Sequence, residues 1–441
     1  MRRAFVLTLA ACVSVAAGAR AADKLDYMKT FTDEERHKPH VEAHSLPVPH
    51  DFVDGQWEGI IAAGDGKTYF SFSSHGPETN AQFYCYDPDT DALRHLIDVG
   101  EWCGEGDEVG KHNTQGKIHS QIYEIDGKLY CSTCPAHRTP ERPYRGGHFL
   151  SYDLRSGEFE DLGTVPGEGG GLLTMHYEPV RRRLYAIAQG DQTLVYYDLP
   201  TGGIHTVGSI EDNPHQCRML ISDERGNVYG STWGRMIYKY NPETEQMSCL
   251  LTRLPHDPKA PQPKTDPDSL AWRSTHWVPI VWDPVTKWYY AVMGHDEYLF
   301  RLRTPEPGGH RAQVEGLVQF GFRASEVQPR FASLGMTRKD RTLYYCSYPI
   351  WRPEAHLMSY HIDNGKVTDH GPIVCEKGRR VSEIHSLVVG SDGKLHAAAM
   401  VWSVEGEDPA NPWANRAQCY FHARFLKIDP ERDFKNQDAE E

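Results

Sequence analysis

Beyond its first two dozen residues the sequence has no apolar run long enough to cross a bilayer, no second Cys-x-x-Cys and no His-Glu-x-x-His. Outside residues 33 to 37 no segment carries a persuasive helical period. These absences argue against a helical membrane protein, a helix bundle, a zinc-ribbon domain and a zincin-type hydrolase. Positive charge is also short: 47 Lys and Arg face 61 Asp and Glu, a net charge of −14. Nucleic acid and anionic membrane surfaces are therefore not expected partners, and any anionic ligand must meet a locally positive cleft. Compositional bias is missing as well, since 39% hydrophobic and 24% charged residues fall in the globular range.

What is present begins with an export signal over residues 1–21. Arg2 and Arg3 precede an apolar run from Ala4 to Ala17 and the small-residue site Ala19-Arg20-Ala21. Secretion or periplasmic delivery is expected; Leu9-Ala10-Ala11-Cys12 also has the form of a lipobox, which would anchor the chain through Cys12. Losing Arg2, Arg3 and Arg20 with the signal would take the net charge from −14 to −17. Nine cysteines remain after such cleavage, an odd number that leaves at least one thiol, and their pairing is not readable. Cys131-Ser132-Thr133-Cys134 is open to a local disulfide, buried thiols or, more weakly, zinc.

At 441 residues the chain exceeds the usual single core, so a repeat architecture is attractive. A unit of roughly 40 to 50 residues recurs: a strand, a tight turn, a Tyr-rich strand, and a third strand ending in Tyr-Asp or its equivalent. The turns include Gly64-Asp65-Gly66-Lys67, Asp126-Gly127-Lys128 and Asp392-Gly393-Lys394, and the strand ends include Tyr86-Asp87, Tyr152-Asp153 and Tyr197-Asp198. Seven copies can be laid out. An all-β, seven-bladed β-propeller follows over residues 50–430, preceded by an N-terminal arm (22–49) and followed by a charged tail (431–441), with a monomer expected.

In a propeller the first strand of each blade lines the central channel. Counting eleven residues back from the hairpin Tyr, or from His396, selects Glu58, His119, Thr174, Arg218, Val278, Ser333 and His385 as one ring. His119 and His385 lie in matching contexts, Lys117-Ile118-His119-Ser120 and Glu383-Ile384-His385-Ser386, and Arg218 belongs to a distant blade. A second tier at the start of the third strands holds His148, His356 and, in blade four, Arg235. Trp233, Trp351 and Trp402 read as loop aromatics suited to stacking on sugar rings.

The layout, together with Gly116-Lys117-Ile118-His119-Ser120-Gln121, Gly147-His148-Phe149-Leu150-Ser151-Tyr152-Asp153 and the Arg218 to Arg235 hairpin, resembles the propeller polysaccharide lyases, above all the ulvan lyases. The resemblance implies β-elimination on a uronate-containing anionic polysaccharide. By it His119 would be base or acid, His148 its partner at the carboxylate, and Arg218 or Arg235 the neutraliser, with His176, His385, Trp233 and Trp351 binding substrate. That chemistry requires no cofactor; a structural zinc or calcium ion is left open. The family also places a Tyr near the leaving group, and His215-Gln216-Cys217-Arg218-Met219 offers none. Either His176, His385 or a loop Tyr substitutes, or the chain has an altered substrate or no lyase activity. Two other readings compete: a non-catalytic propeller that binds carbohydrate or protein, and a metal-dependent enzyme using His119, His148 and His385 as ligands.

Overall fold

The computed structural model describes residues 32–136, 139–165, 170–189, 192–210, 217–259, 276–294, 296–322, 334–347, 354–403 and 421–437. The expected leader, Cys12, Cys419, Ser333 and Trp351 lie outside them.

Seven antiparallel sheets follow one another along the chain and form the expected seven-bladed propeller. Blade one is built from Ile60–Ala62, Thr68–Phe72, Gln82–Asp87 and Ala92–Asp98; blade two from Tyr123–Ile125, Lys128–Ser132, His148–Asp153 and Phe159–Thr164. Blade three runs from Leu172–Glu178 to Gly203–Ser209, blade four from Ile221–Ser222 to Gln246–Arg253, and blade five from Trp277–Asp283 to Gln313–Gln319. Blades six and seven begin at Leu334–Met336 and Val381–Val389.

Local chemistry explains the repeat. In the second blade Asp126 and Gly127 both have positive φ (52° and 77°), the conformation a two-residue hairpin requires. In blades one to three the Asp closing the third strand caps the next turn: Asp87 accepts from the backbone N–H of Asp89 at 3.0 Å, Asp153 from Ser156 at 2.8 Å, and Asp198 from Thr201 at 3.1 Å. Second strands are buried along most of their length, and wholly in Thr68–Phe72 and Leu395–Trp402, whereas outer strands such as Ala92–Asp98 keep polar residues in water. A strand buried on both faces belongs to a sheet covered on both faces. Accordingly, the apolar clusters lie between neighbouring blades rather than inside one of them: Phe70 and Phe425 join blades one and seven, Leu129 and Phe83 join two and one, and Tyr185 and Tyr240 join three and four.

The chain termini close the ring. His44–Pro47 is the outermost strand of blade seven, antiparallel to Phe421–Ile428. His40–Glu42 pairs in parallel with Val367–Val374 of blade six, and Phe434–Lys435 adds beside it. At the hairpin end of the inner strands a belt of polar contacts runs from blade to blade: Gly64 to Glu124, Asp126 to Arg182, Arg181 to Arg225, Arg225 to Pro305, Asp283 to Arg341, and Ser391 to Gly66.

Trp402 departs from the sequence reading. It is the last residue of a strand and 5% exposed, packed rather than presented on a loop. Cys131 and Cys134 are both buried thiols, and no two of the eight cysteines among the described residues are joined in a disulfide.

Candidate functional site

Three of the residues on the counted ring meet. Glu58, His119 and Arg218 come from blades one, two and four. His119 is 2% exposed, with Nδ1 3.3 Å from Glu58 Oε2 and Nε2 in close contact with Arg218 Nη1. Burial and the Arg218 charge outweigh Glu58 and push the imidazole down to about 4, so it is neutral near pH 7. A neutral ring with its proton on Nδ1 turns that N–H toward the carboxylate and leaves the Nε2 lone pair for the guanidinium, whose Nη1 lies also 3.2 Å from Nδ1. Burial works against ionisation of Glu58, but His119 and Arg218 hold its carboxyl below the ordinary range. Burial also lowers the Arg218 pKa, with Glu58 opposing. Gln121 fixes this arrangement by donating to the Arg218 carbonyl at 3.1 Å while accepting from Thr174 at 3.3 Å.

Around this core stand residues that counting did not select. Trp57 lies with its ring centroid 5.2 Å from that of His119, 5.0 Å from His75 and 6.4 Å from His385, and Lys117 Nζ sits 4.5 Å above it. His75 Nδ1 is 3.0 Å from Asp54, which also accepts from the His75 backbone N–H at 2.8 Å. Through the shared indole, His75 and His119 are no more than about 10 Å apart between ring centroids. The His385 backbone N–H donates to Gln56 at 2.8 Å, and its Nε2 lies 3.5 Å from Glu383. Trp57 and Gln56 adjoin Glu58, a legible neighbourhood; His75 and Asp54 occupy irregular segments that no other blade repeats, so the pattern gave them no signal.

The remaining candidates sit in other surroundings. His148 is 3% exposed and held between Asp161 (3.0 Å) and Glu105 (3.1 Å). Burial disfavours its charge, yet hydrogen bonds to the two carboxylates win and push it up to about 9. Blade six repeats the device: His356 lies 3.1 Å from Asp369 and 3.8 Å from Glu354. Blade one has Gln82 donating to Asp98 at 2.7 Å. In all three, the same Asp accepts from the glycine two residues on: Gly100 at 2.8 Å, Gly163 at 3.0 Å and Gly371 at 2.8 Å. The second tier of histidines is thus a recurring staple between third and fourth strands.

His176 bridges Tyr123 (3.2 Å) and Ser222 (2.9 Å) across blades two to four, and burial drives it down to about 3. Arg235 has positive φ (63°) in the turn Trp233–Arg235 and donates to the Leu254 carbonyl at 3.4 Å. Among the described residues no group of three or more His, Cys, Asp or Glu is placed to hold a metal ion, and His119, His148 and His385 do not form one.

A seven-bladed β-propeller with a polar hub is the class these features define. No family model matches the chain, and no curated protein matches it significantly. It is similar in structure to streptogramin B lyase, with a TM-score of 0.54, 10% identity, and 88% of this chain and 97% of that one covered. It is similar also to the Cps50 (Swd1) β-propeller domain of Myceliophteria thermophila, with a TM-score of 0.51, 9% identity, and 87% and 100% covered. At such identities the likeness shows the fold alone.

Proposed function

We propose that the hub is the active site of a lyase that cleaves a uronate-containing, ulvan-like polysaccharide by β-elimination. One observation carries this reading: a buried, uncharged imidazole, His119, whose Nε2 is capped by the Arg218 guanidinium inside the channel. A substrate carboxylate competes for Arg218 and uncovers Nε2. The imidazole then takes the C5 proton while Arg218 neutralises the carboxylate and steadies the carbanion-like state. As the C4=C5 double bond forms and the C4–O4 bond breaks, His75, oriented by Asp54, supplies the proton to O4. Trp57 and Lys117 border the same space with an apolar face and a cation. Neither His148 nor Arg235 is needed in this scheme.

A second reading, a propeller that binds the glycan without cutting it, is favoured by the Glu58 carboxylate, which already faces Arg218 and His119. The two separate on one experiment. Incubation with ulvan, pectin and glycosaminoglycans should give unsaturated, ultraviolet-absorbing ends with one of them; retention of an unchanged polymer supports binding alone, and neither result would reject both. In the first case His75→Ala should slow turnover on the polymer, whose O4 leaving group is poor, more than on a uronate carrying an activated aryl ether at O4.

A further inference from the structure

At the other end of the inner strands, among the hairpins of blades three, four and five, lies a groove of about 700 Å³. That volume falls in the range of small-molecule sites, roughly 300–1,000 Å³. Its aromatic wall is Trp282, 42% exposed and set 4.6 Å from the Tyr289 ring. Trp282 is not alone, since Val180 (53%) and Val285 (70%) are exposed in the same hairpins. Pro179, Pro305 and Pro307 stiffen the sides.

The polar groups of the groove narrow its occupant. Arg225 donates to Asp223 and to the Pro305 carbonyl, both at 2.8 Å. Arg303 donates to the carbonyls of Lys287 (2.9 Å) and Thr286 (2.6 Å), and the Tyr289 hydroxyl donates to that of Ser222 (2.9 Å). The prolines have no N–H to offer, and these carbonyls are already engaged, so main-chain recognition of an extended peptide has little to work with. What remains is a flat indole beside Glu224, Glu306 and Lys287, side chains that suit hydroxyl groups around a ring with an apolar face. Arg225, Arg303 and Lys287 are balanced by Asp223, Glu224 and Glu306, which gives a polyanion no advantage.

We propose that this groove binds a short stretch of an uncharged polysaccharide, with one sugar ring stacked on Trp282. The site is distinct from the hub, and its occupancy does not depend on the lyase reading. The test is titration of the full chain with cellotetraose, xylotetraose and mannotetraose, followed by calorimetry and by Trp fluorescence. At least one should bind, with affinity about tenfold weaker in Trp282→Ala. Glu306→Gln should weaken it by a smaller factor, and His119→Ala should leave it unchanged. Absence of binding by all three overturns the proposal, as does binding that survives Trp282→Ala, or a Pro-rich peptide that occupies the groove in preference to the sugars.

Discussion

His119 and His148 belong to the same blade and are hidden to the same degree, 2% and 3% exposed, yet one is neutral and the other charged at pH 7. Burial pushes both imidazoles toward the neutral form. The difference lies in the company each keeps: His119 has a guanidinium against both ring nitrogens, closest to Nε2, and a carboxylate near Nδ1, whereas His148 has a carboxylate at each. Burial alone therefore says nothing about whether a histidine is poised for proton transfer or built in as a cation. The hub neighbours leave a basic Nε2 that a competing anion can uncover; the staple neighbours consume both ring nitrogens.

The strongest test of this contrast is to remove each ring. His119→Ala should lower the elimination rate by about 10²–10⁴-fold, because a positioned base is lost. Its effect on the melting temperature should be small, since Glu58 and Arg218 can still face one another. His148→Ala should do the reverse. Glu105 and Asp161 are left without their shared cation, which costs on the order of 3–5 kcal/mol, while turnover per folded molecule is retained. Calorimetry and initial rates on both variants decide the matter, and equal loss of activity in the two would erase the distinction.

The pH response should split in the same way. With its pKa at about 4, His119 stays deprotonated through the neutral range, and activity should fall as pH drops through about 4. His148 has a folded value raised above that of the unfolded chain, so its stabilisation is complete below about 6.5 and is lost as pH rises through about 9. The stability gap between wild type and His148→Gln should accordingly close above pH 9, as followed by urea unfolding at several pH values.

The sequence made these two residues look alike, and the reason is instructive. Asp-Gly turns in blades one, two and seven and Tyr-Asp strand ends in blades one to three are local signals with looser equivalents in the other blades, so the seven units could be counted and the inner ring located at a fixed offset. That offset reached Glu58, His119 and Arg218, which do meet, and His385 beside Trp57. The same counting on third strands reached His148 and His356, where the regularity belongs to the staple with Asp161 and Asp369. Periodicity finds equivalent places and is silent on what surrounds them. His75 and Asp54 were missed because an irregular segment has no equivalent to compare. The closing strand His44–Pro47 was missed because its pairing with Phe421–Ile428 spans nearly the whole chain, and four residues hold no pattern of their own.

The smallest expected effect separates the two carboxylates of the staple. The Glu105 side chain is 6% exposed and accepts from both His148 Nε2 and Gln115 Nε2, the latter at 3.0 Å. Glu105→Gln has one acceptor oxygen for two donors, so a buried N–H is left facing another, at a cost of about 1–3 kcal/mol. Asp161 is 31% exposed at its side chain and accepts from the Gly163 backbone N–H, a bond that an Asn oxygen preserves. Solvent screens the charge it loses, and Asp161→Asn should cost less than about 1 kcal/mol. Both variants should draw the His148 pKa down from about 9, Glu105→Gln further, which a proton NMR titration of the ring resolves. If Asp161→Asn proved the more costly, the charge of His148 would be set from its solvent-facing side, and its likeness to His119 would be closer than its burial implies.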